Sequence, residues 1–145
     1  MNTEVMFSSK SDLWETPQKF FDKLNQEFHF NLDACALPEN TKCTKYYTPK
    51  QDSLSQPWNG VVWCNPPYGR EIGSWVRKGL SASMEGATIV MLLPARTDTK
   101  WFHEYIYGKA EIRFVKGRLK FGKSKNGAPF PSMVVVFRPR KEDQP

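Results

Sequence analysis

Asn65-Pro66-Pro67-Tyr68 is the segment of the chain with the most definite chemistry. A side-chain amide oxygen and the neighbouring backbone carbonyl supply two hydrogen-bond acceptors, and the rigid prolines fix the backbone so that both point at one spot. Such a pair suits an aromatic amino group. Its nitrogen lone pair is delocalised into the ring, and acceptors that bind its N–H groups draw the nitrogen towards a tetrahedral, nucleophilic geometry. Tyr68, just beyond, can stack on a base that has left its duplex. No residue has to become a covalent nucleophile. The plainer alternative, a rigid turn with an incidental aromatic ring, fits any four residues of such common types, so position in the fold has to separate the two readings.

Charge is the second feature with chemical content. The 145 residues carry a formal net charge of +6, unevenly spread. From Ile112 to Arg140 there is no acidic residue, while Arg113, Lys116, Arg118, Lys120, Lys123, Lys125, Arg138 and Arg140 are basic. Charge alone fits a phosphate-binding face and a solvated basic surface equally. Cys35, Cys43 and Cys64 form no C-x-x-C pair, so neither a disulfide framework nor a zinc site is indicated, and buried or half-buried thiols are expected. His29 and His103 have no companion at metal-ligand spacing, and no metal site is expected. No apolar run reaches the ~20 residues of a membrane helix, and Met1 to Lys10 lacks the layout of a secretory signal, which reads as a soluble cytoplasmic protein.

The elements that must position these residues follow from periodicity. Thr16-Pro17 supplies a cap and a helix-starting proline, and Phe20, Phe21, Leu24 and Phe28 continue at helical spacing, predicting a helix to about Glu27 with these rings in the core. Phe30 to Ala36 reads as a short strand. Leu37 to Asn59, with three prolines, reads mostly as loop with one short strand at Lys45 to Thr48. Gly60 to Cys64 is an apolar, β-branched strand that stops at the prolines, which cannot donate to a sheet ladder. Ile72, Trp75, Val76 and Leu80 predict a helix, Thr88 to Leu93 a buried strand ended by Pro94, and Trp101, Phe102, Tyr105 and Ile106 a further helix. Glu111 to Val115 and Ser132 to Phe137 complete an open α/β sheet whose site lies at the carboxyl ends of its strands. No repeat or linker marks a second domain, so one domain over 1–145 is expected, with flexible ends at 1–12 and 139–145.

The asparagine motif resembles that of the amino-methyltransferases with a D/N/S-P-P-Y/F signature, and the chain more closely resembles the phage-type DNA adenine-N6 methyltransferases. The likeness runs roughly from Trp14 to Phe137. It rests on Trp14-Glu15-Thr16-Pro17, Leu32-Asp33-Ala34-Cys35-Ala36, Asp52 to Trp58, Asn65 to Tyr68, Leu93-Pro94-Ala95-Arg96, Lys116-Gly117-Arg118-Leu119 and Pro129-Phe130-Pro131-Ser132. It implies a compact Rossmann-like class I fold, a mostly parallel sheet with a C-terminal antiparallel strand, and S-adenosyl-L-methionine as cofactor. Asn65 and the Pro66 carbonyl would hold the adenine amino group, with Pro67 stiffening the loop and Tyr68 stacking on the flipped ring. Trp14, Thr16, Pro17, Asp33, Ala34, Cys35, Asp52 and Asn65 would form the cofactor site. There Thr16 would meet the methionine carboxylate, Asp33 the charged amino-acid portion and Asp52 the adenosyl amino group. Double-stranded DNA is the implied partner, contacted by Arg70, Arg96, Lys116, Arg118, Lys120, Lys123 and Lys125. The loops Arg70 to Ser74 and Gly117 to Pro129 would choose the target sequence. The resemblance further implies a phage or prophage enzyme acting in a bacterial host, as a monomer without an obligatory protein partner.

Two departures stand out. The stretch Asp33-Ala34-Cys35-Ala36-Leu37-Pro38 contains no glycine where many methyltransferases have a glycine-rich loop, and the interval from Asp33 to Asp52 is too short for the usual two strands and helix. No acidic residue is thereby placed for the ribose hydroxyls; Glu39 is a weak candidate. Arg96, Asp98 and Trp101 lie at the same sheet edge and would touch substrate phosphate or brace the Asn65 loop, with Asp98 equally suited to capping the following helix. The motif also serves RNA bases and protein glutamine, and a module that keeps the fold without binding the cofactor is a third possibility.

Overall fold

The computed structural model describes residues 14–140; the ends expected to be flexible lie outside these, apart from 139–140. The elements in chain order are helix α1 (Gln18–Phe28), strands β1 (Leu32–Asp33) and β2 (Val61–Cys64), helix α2 (Ile72–Met84), strand β3 (Thr88–Pro94), a π-helical turn (Phe102–Ile106), and strands β4 (Glu111–Phe114) and β5 (Ser132–Phe137). One five-stranded mixed sheet has the order β1-β2-β3-β5-β4. β1, β2 and β3 are parallel neighbours, whereas β5 pairs antiparallel with both β3 and β4. Four strands therefore run one way and only the C-terminal β5 runs against them, as expected, although half of the pairings are antiparallel.

Strand alternation sorts the core onto two faces. Trp63 pairs with Val90 and faces α1, whose Phe21 ring lies 5.3 Å away edge-on. Met91 points the other way, towards α2, where Gly79 leaves space for it. A Cβ on Gly79 would lie 3.0 Å from the Met91 sulfur and 3.2 Å from the Phe137 ring. The fully apolar runs of β3 and β5 are buried on both faces, as the covered centre of an α/β sheet requires. Phe21 is buried as expected, while Phe20 and Phe28 are only half-buried against the core.

Three local expectations need correction. The strand anticipated over 30–36 shrinks to Leu32–Asp33, and the one at 45–48 to a single parallel bridge between Asp33 and Tyr46. Backbone bonds from the Asp33 amide to the Lys45 carbonyl, Tyr47 to Asp33 and Ala36 to Tyr47 still join the two segments, and side-chain bonds order the rest of the stretch. The Asp33 carboxylate accepts from the Lys42 and Cys35 amides, Thr48 and Gln51 form a capping box, Tyr47 donates to the Pro57 carbonyl at 2.7 Å, and the Trp58 indole donates to Ser53. Second, Pro17 rather than Thr16 occupies the cap position of α1, because the buried Thr16 hydroxyl is engaged elsewhere. Third, at the π-helical turn the Thr99 hydroxyl, not Asp98, accepts from the Phe102 amide.

Candidate active site

The Asn65 loop leaves the carboxyl end of β2, beside the ends of β1 and β3. Pro66 is buried and Asn65 half-buried. The Asn65 amide nitrogen donates to the Thr16 hydroxyl oxygen at 2.9 Å and to the Trp14 carbonyl. A carbonyl can only accept, so these bonds fix the amide's orientation: nitrogen towards the start of α1, oxygen away from it. That oxygen, Oδ1, is buried and has no partner among the described residues. An unpaired buried acceptor costs roughly 1–3 kcal/mol, and a donor brought by a ligand would recover it. The uncommitted acceptor that the motif promised is present.

Beside it opens a cavity of about 290 Å3, near the lower end of small-molecule sites, lined by Trp14, Thr16, Asp33, Cys35, Asn65 and Pro66. Six of the residues proposed from sequence thus meet in one place. Pro17 and Ala34 flank the cavity in the chain without lining it. Asp52 is exposed, sits in a left-handed conformation between two short 3-10 turns, and is not among the lining residues. Leu37, Asn40, Lys42, Pro49 and Trp63 also line the cavity. Sequence reasoning missed them, although Trp63, two residues before the motif in a strand, carried an alternation signal.

Electrostatics single out Asp33. Burial raises its carboxyl to a pKa of about 6, against the opposing pull of the Lys42 and Cys35 amides and the Lys42 charge. A desolvated carboxylate at a cavity wall is poised to receive a cation. The same burial pushes the Cys35 and Cys43 thiols up to about 12, and Cys64 is fully enclosed, so all three free cysteines are inert thiols.

Tyr68 lies elsewhere than beside the cavity. Its hydroxyl donates to the Leu92 carbonyl at 2.8 Å, which draws the ring into the core, and Phe130 and Phe121 meet it edge-on at 5.6 and 6.4 Å. Phe121 and Phe130 also pack on Trp14. The glycine-containing connection between β4 and β5 therefore packs on Trp14 and Tyr68 as an aromatic cover, tied down where the Gly122 amide donates to the Glu15 carbonyl.

The basic run divides in two. Arg113 forms a bidentate pair with Glu27, at 2.7 Å for both bonds, and reaches Glu111 at 2.5 Å; Arg138 joins Glu111 at 2.9 Å. Both guanidiniums lie over the Phe28 ring, and both carboxyls are held below the usual range by these arginines. Of the two readings the charge left open, Arg113 follows neither: its charge is spent within the fold, because β4 register turns it to the α1 side. Lys116, Arg118, Lys120, Lys123 and Lys125 are exposed on the cover, Arg118 through a hydrogen bond to the Ala128 carbonyl, and Arg70 and Arg96 are exposed at the ends of β2 and β3.

Comparison with known proteins agrees with this geometry. The family model described as DNA N-6-adenine-methyltransferase (Dam) matches residues 3–145. The DNA N-6-adenine-methyltransferase of Haemophilus phage HP1 (strain HP1c1) is 34% identical over 141 aligned residues, covering 91% of this chain and 82% of that protein. The protein of the same name from Escherichia phage T1 is 33% identical over 156, covering 92% and 65%. With an uncommitted amide acceptor beside a cavity at the strand ends, and matches over nearly its whole length, the chain belongs to the DNA N-6-adenine-methyltransferase (Dam) family.

Proposed function

We propose that the protein methylates the N6 amino group of adenine in duplex DNA, with S-adenosyl-L-methionine as donor, on a Rossmann-like class I scaffold formed by one domain. The observation that carries this reading is the buried, unpartnered Asn65 Oδ1, held in orientation by the Trp14 carbonyl and the Thr16 hydroxyl. Asn65 Oδ1 and the Pro66 carbonyl accept the two N–H bonds of the amino group and localise the nitrogen lone pair. The residues around the cavity fit the cofactor: the Asp33 carboxylate suits its ammonium, Lys42 its carboxylate, and the Trp63 and Trp14 rings its apolar parts. Bound there, the cofactor supplies an activated methyl group, so the protein has only to align, desolvate and hold.

Adenine reaches Asn65 only out of the helix, at a cost of a few kcal/mol that backbone contacts offset. Tyr68 meets such a base once Phe121 and Phe130 move aside, with the lysines of the cover following the phosphates.

The test is incubation with tritiated S-adenosylmethionine and unmethylated plasmid DNA, followed by digestion to nucleosides. Label is expected in N6-methyladenine, falling by about 10²–10³ in Asn65→Ala, the loss typical of one preorganised polar contact to a reacting group. Cofactor binding without label in DNA would move the substrate to RNA or protein; absence of cofactor binding would sink the enzyme reading.

A further inference from the structure

A second groove, on the α2 side of the Asn65 loop, holds cations that the site described above leaves unused. One wall is the face of Arg70, Ser74 and Arg77 at the start of α2, spaced i, i+4 and i+7; the other is Lys100, Trp101 and Tyr105 on the π-helical turn and the residues before it. The groove encloses about 320 Å3. The walls meet closely at Gly73, where a Cβ would lie 3.5 Å from that of Trp101, in ordinary van der Waals contact. Glu104 is the one carboxylate lining it, 3.7 Å from Lys100 in an exposed pair that water largely screens. Arg70 and Arg77 form no salt bridge among the described residues, in contrast to Arg113 and Arg138. The groove thus keeps a surplus of uncommitted positive charge.

Its place follows from topology. Both walls rise from the carboxyl ends of adjacent strands, β2 and β3, and Arg70 lies two residues beyond Tyr68. The basic cover reaches the same loop from the α1 side, through Phe121 and Phe130 against Trp14 and Tyr68. Two cationic surfaces therefore flank one acceptor site. We infer that the groove of Arg70, Arg77 and Lys100 seats the phosphate backbone of duplex DNA beside the adenine that enters the Asn65 site. The inference rests on the DNA reading of that site. Charge complementarity selects the occupant: three exposed cations beside the half-buried Trp101 and Tyr105 rings match a polyanion that makes several phosphate contacts.

The test measures binding of the full chain to a short fluorescent DNA duplex across a salt series, for the wild type, Arg77→Gln, Lys100→Gln and the double variant. Lys23→Gln on α1 serves as comparison, and binding of S-adenosylhomocysteine is followed by calorimetry for each. Each single groove variant is expected to lower the slope of log Kd against log salt by about 0.9 and to weaken binding about eightfold at 0.1 M salt, and the double variant by about 1.8 and about 60-fold, with cofactor-product binding unchanged. An unchanged slope in the double variant, or an equal loss in Lys23→Gln, would overturn the groove assignment while leaving the DNA reading intact. Failure of the wild type to bind duplex while binding S-adenosylhomocysteine would overturn both.

Discussion

The Asn65 side-chain amide donates to Thr16 Oγ1 across 2.9 Å, so a residue just ahead of the α1 cap dictates which way the acceptor at the end of β2 points. Thr16 is a positioning residue in this arrangement. Thr16→Val keeps the shape and removes the acceptor, and is expected to lower the single-turnover rate about tenfold, ~1.4 kcal/mol for one buried hydrogen bond. Thr16→Ser should restore it to within about threefold. Binding of the cofactor product, measured separately, distinguishes this effect from a weakened cofactor site: equal losses in both would refute the positioning role.

On the proposed reading, Asp33 makes cofactor binding sensitive to pH. Its folded pKa of about 6 lies above the ordinary 3.8, so the folded state holds the proton more tightly than the unfolded state between those values. The stability that protonation lends is present at the acid end and is lost as pH rises from about 4 to about 6. Binding of a cationic ligand runs the opposite way, because it needs the carboxylate. Affinity for S-adenosylhomocysteine, whose amino-acid portion keeps the ammonium, should fall as pH drops through about 6. Asp33→Asn should flatten that profile, and a wild-type profile level from pH 5 to pH 8 would contradict the role.

The aromatic cover makes separate predictions for its two sides. Tyr68→Phe deletes the bond to the Leu92 carbonyl and should cost about 1 kcal/mol in urea unfolding while methylation stays within a few-fold, because the ring is retained. Phe121→Ala removes a buried ring from the contact with Tyr68, Trp14 and Phe130, and should cost about 3 kcal/mol, or roughly 10 °C in Tm. Comparable losses from the two variants would show that the ring contacts contribute little.

Gly79 tests the packing of α2 on the sheet. Alanine is a better helix former than glycine, yet its methyl would press on the Met91 sulfur and the Phe137 ring, both fully buried. Overpacking at 1–3 kcal/mol outweighs a helix gain of up to about 1, so Gly79→Ala should lower the urea midpoint. A raised midpoint would mean that the interface yields.

Where periodicity was strong, the sequence was readable: β3, β5, α2 and the Asn65 loop all lie where apolar runs and prolines place them. The stretch from Ala34 to Asn59 was not, since what orders it is scattered backbone bonds, such as Ala36 to Tyr47, and side-chain bonds to backbone, such as Tyr47 to Pro57 and Trp58 to Ser53, which leave no period. The site shows the same division. Asn65, Thr16 and Asp33 announce themselves by type and context, but Lys42 and Pro49 reach the cavity only because that loop folds back. Arg113 and Lys116 look alike in a basic run, and β4 register sends Arg113 to Glu27 while Lys116, beyond the strand, stays in water.

The position of β5 between β3 and β4 sets an order of assembly. β4 is synthesised first but has nowhere to dock, because its partner in the sheet is the strand that follows it. Until Ser132–Phe137 emerges, β3 presents an open edge and the chain between β4 and β5 is anchored at one end only. A nascent protein therefore carries a complete Asn65 loop with no aromatic roof and no tethered lysines above it. The connection with its rings and lysines settles in a single late event, when one central strand slides in and closes sheet and cover together.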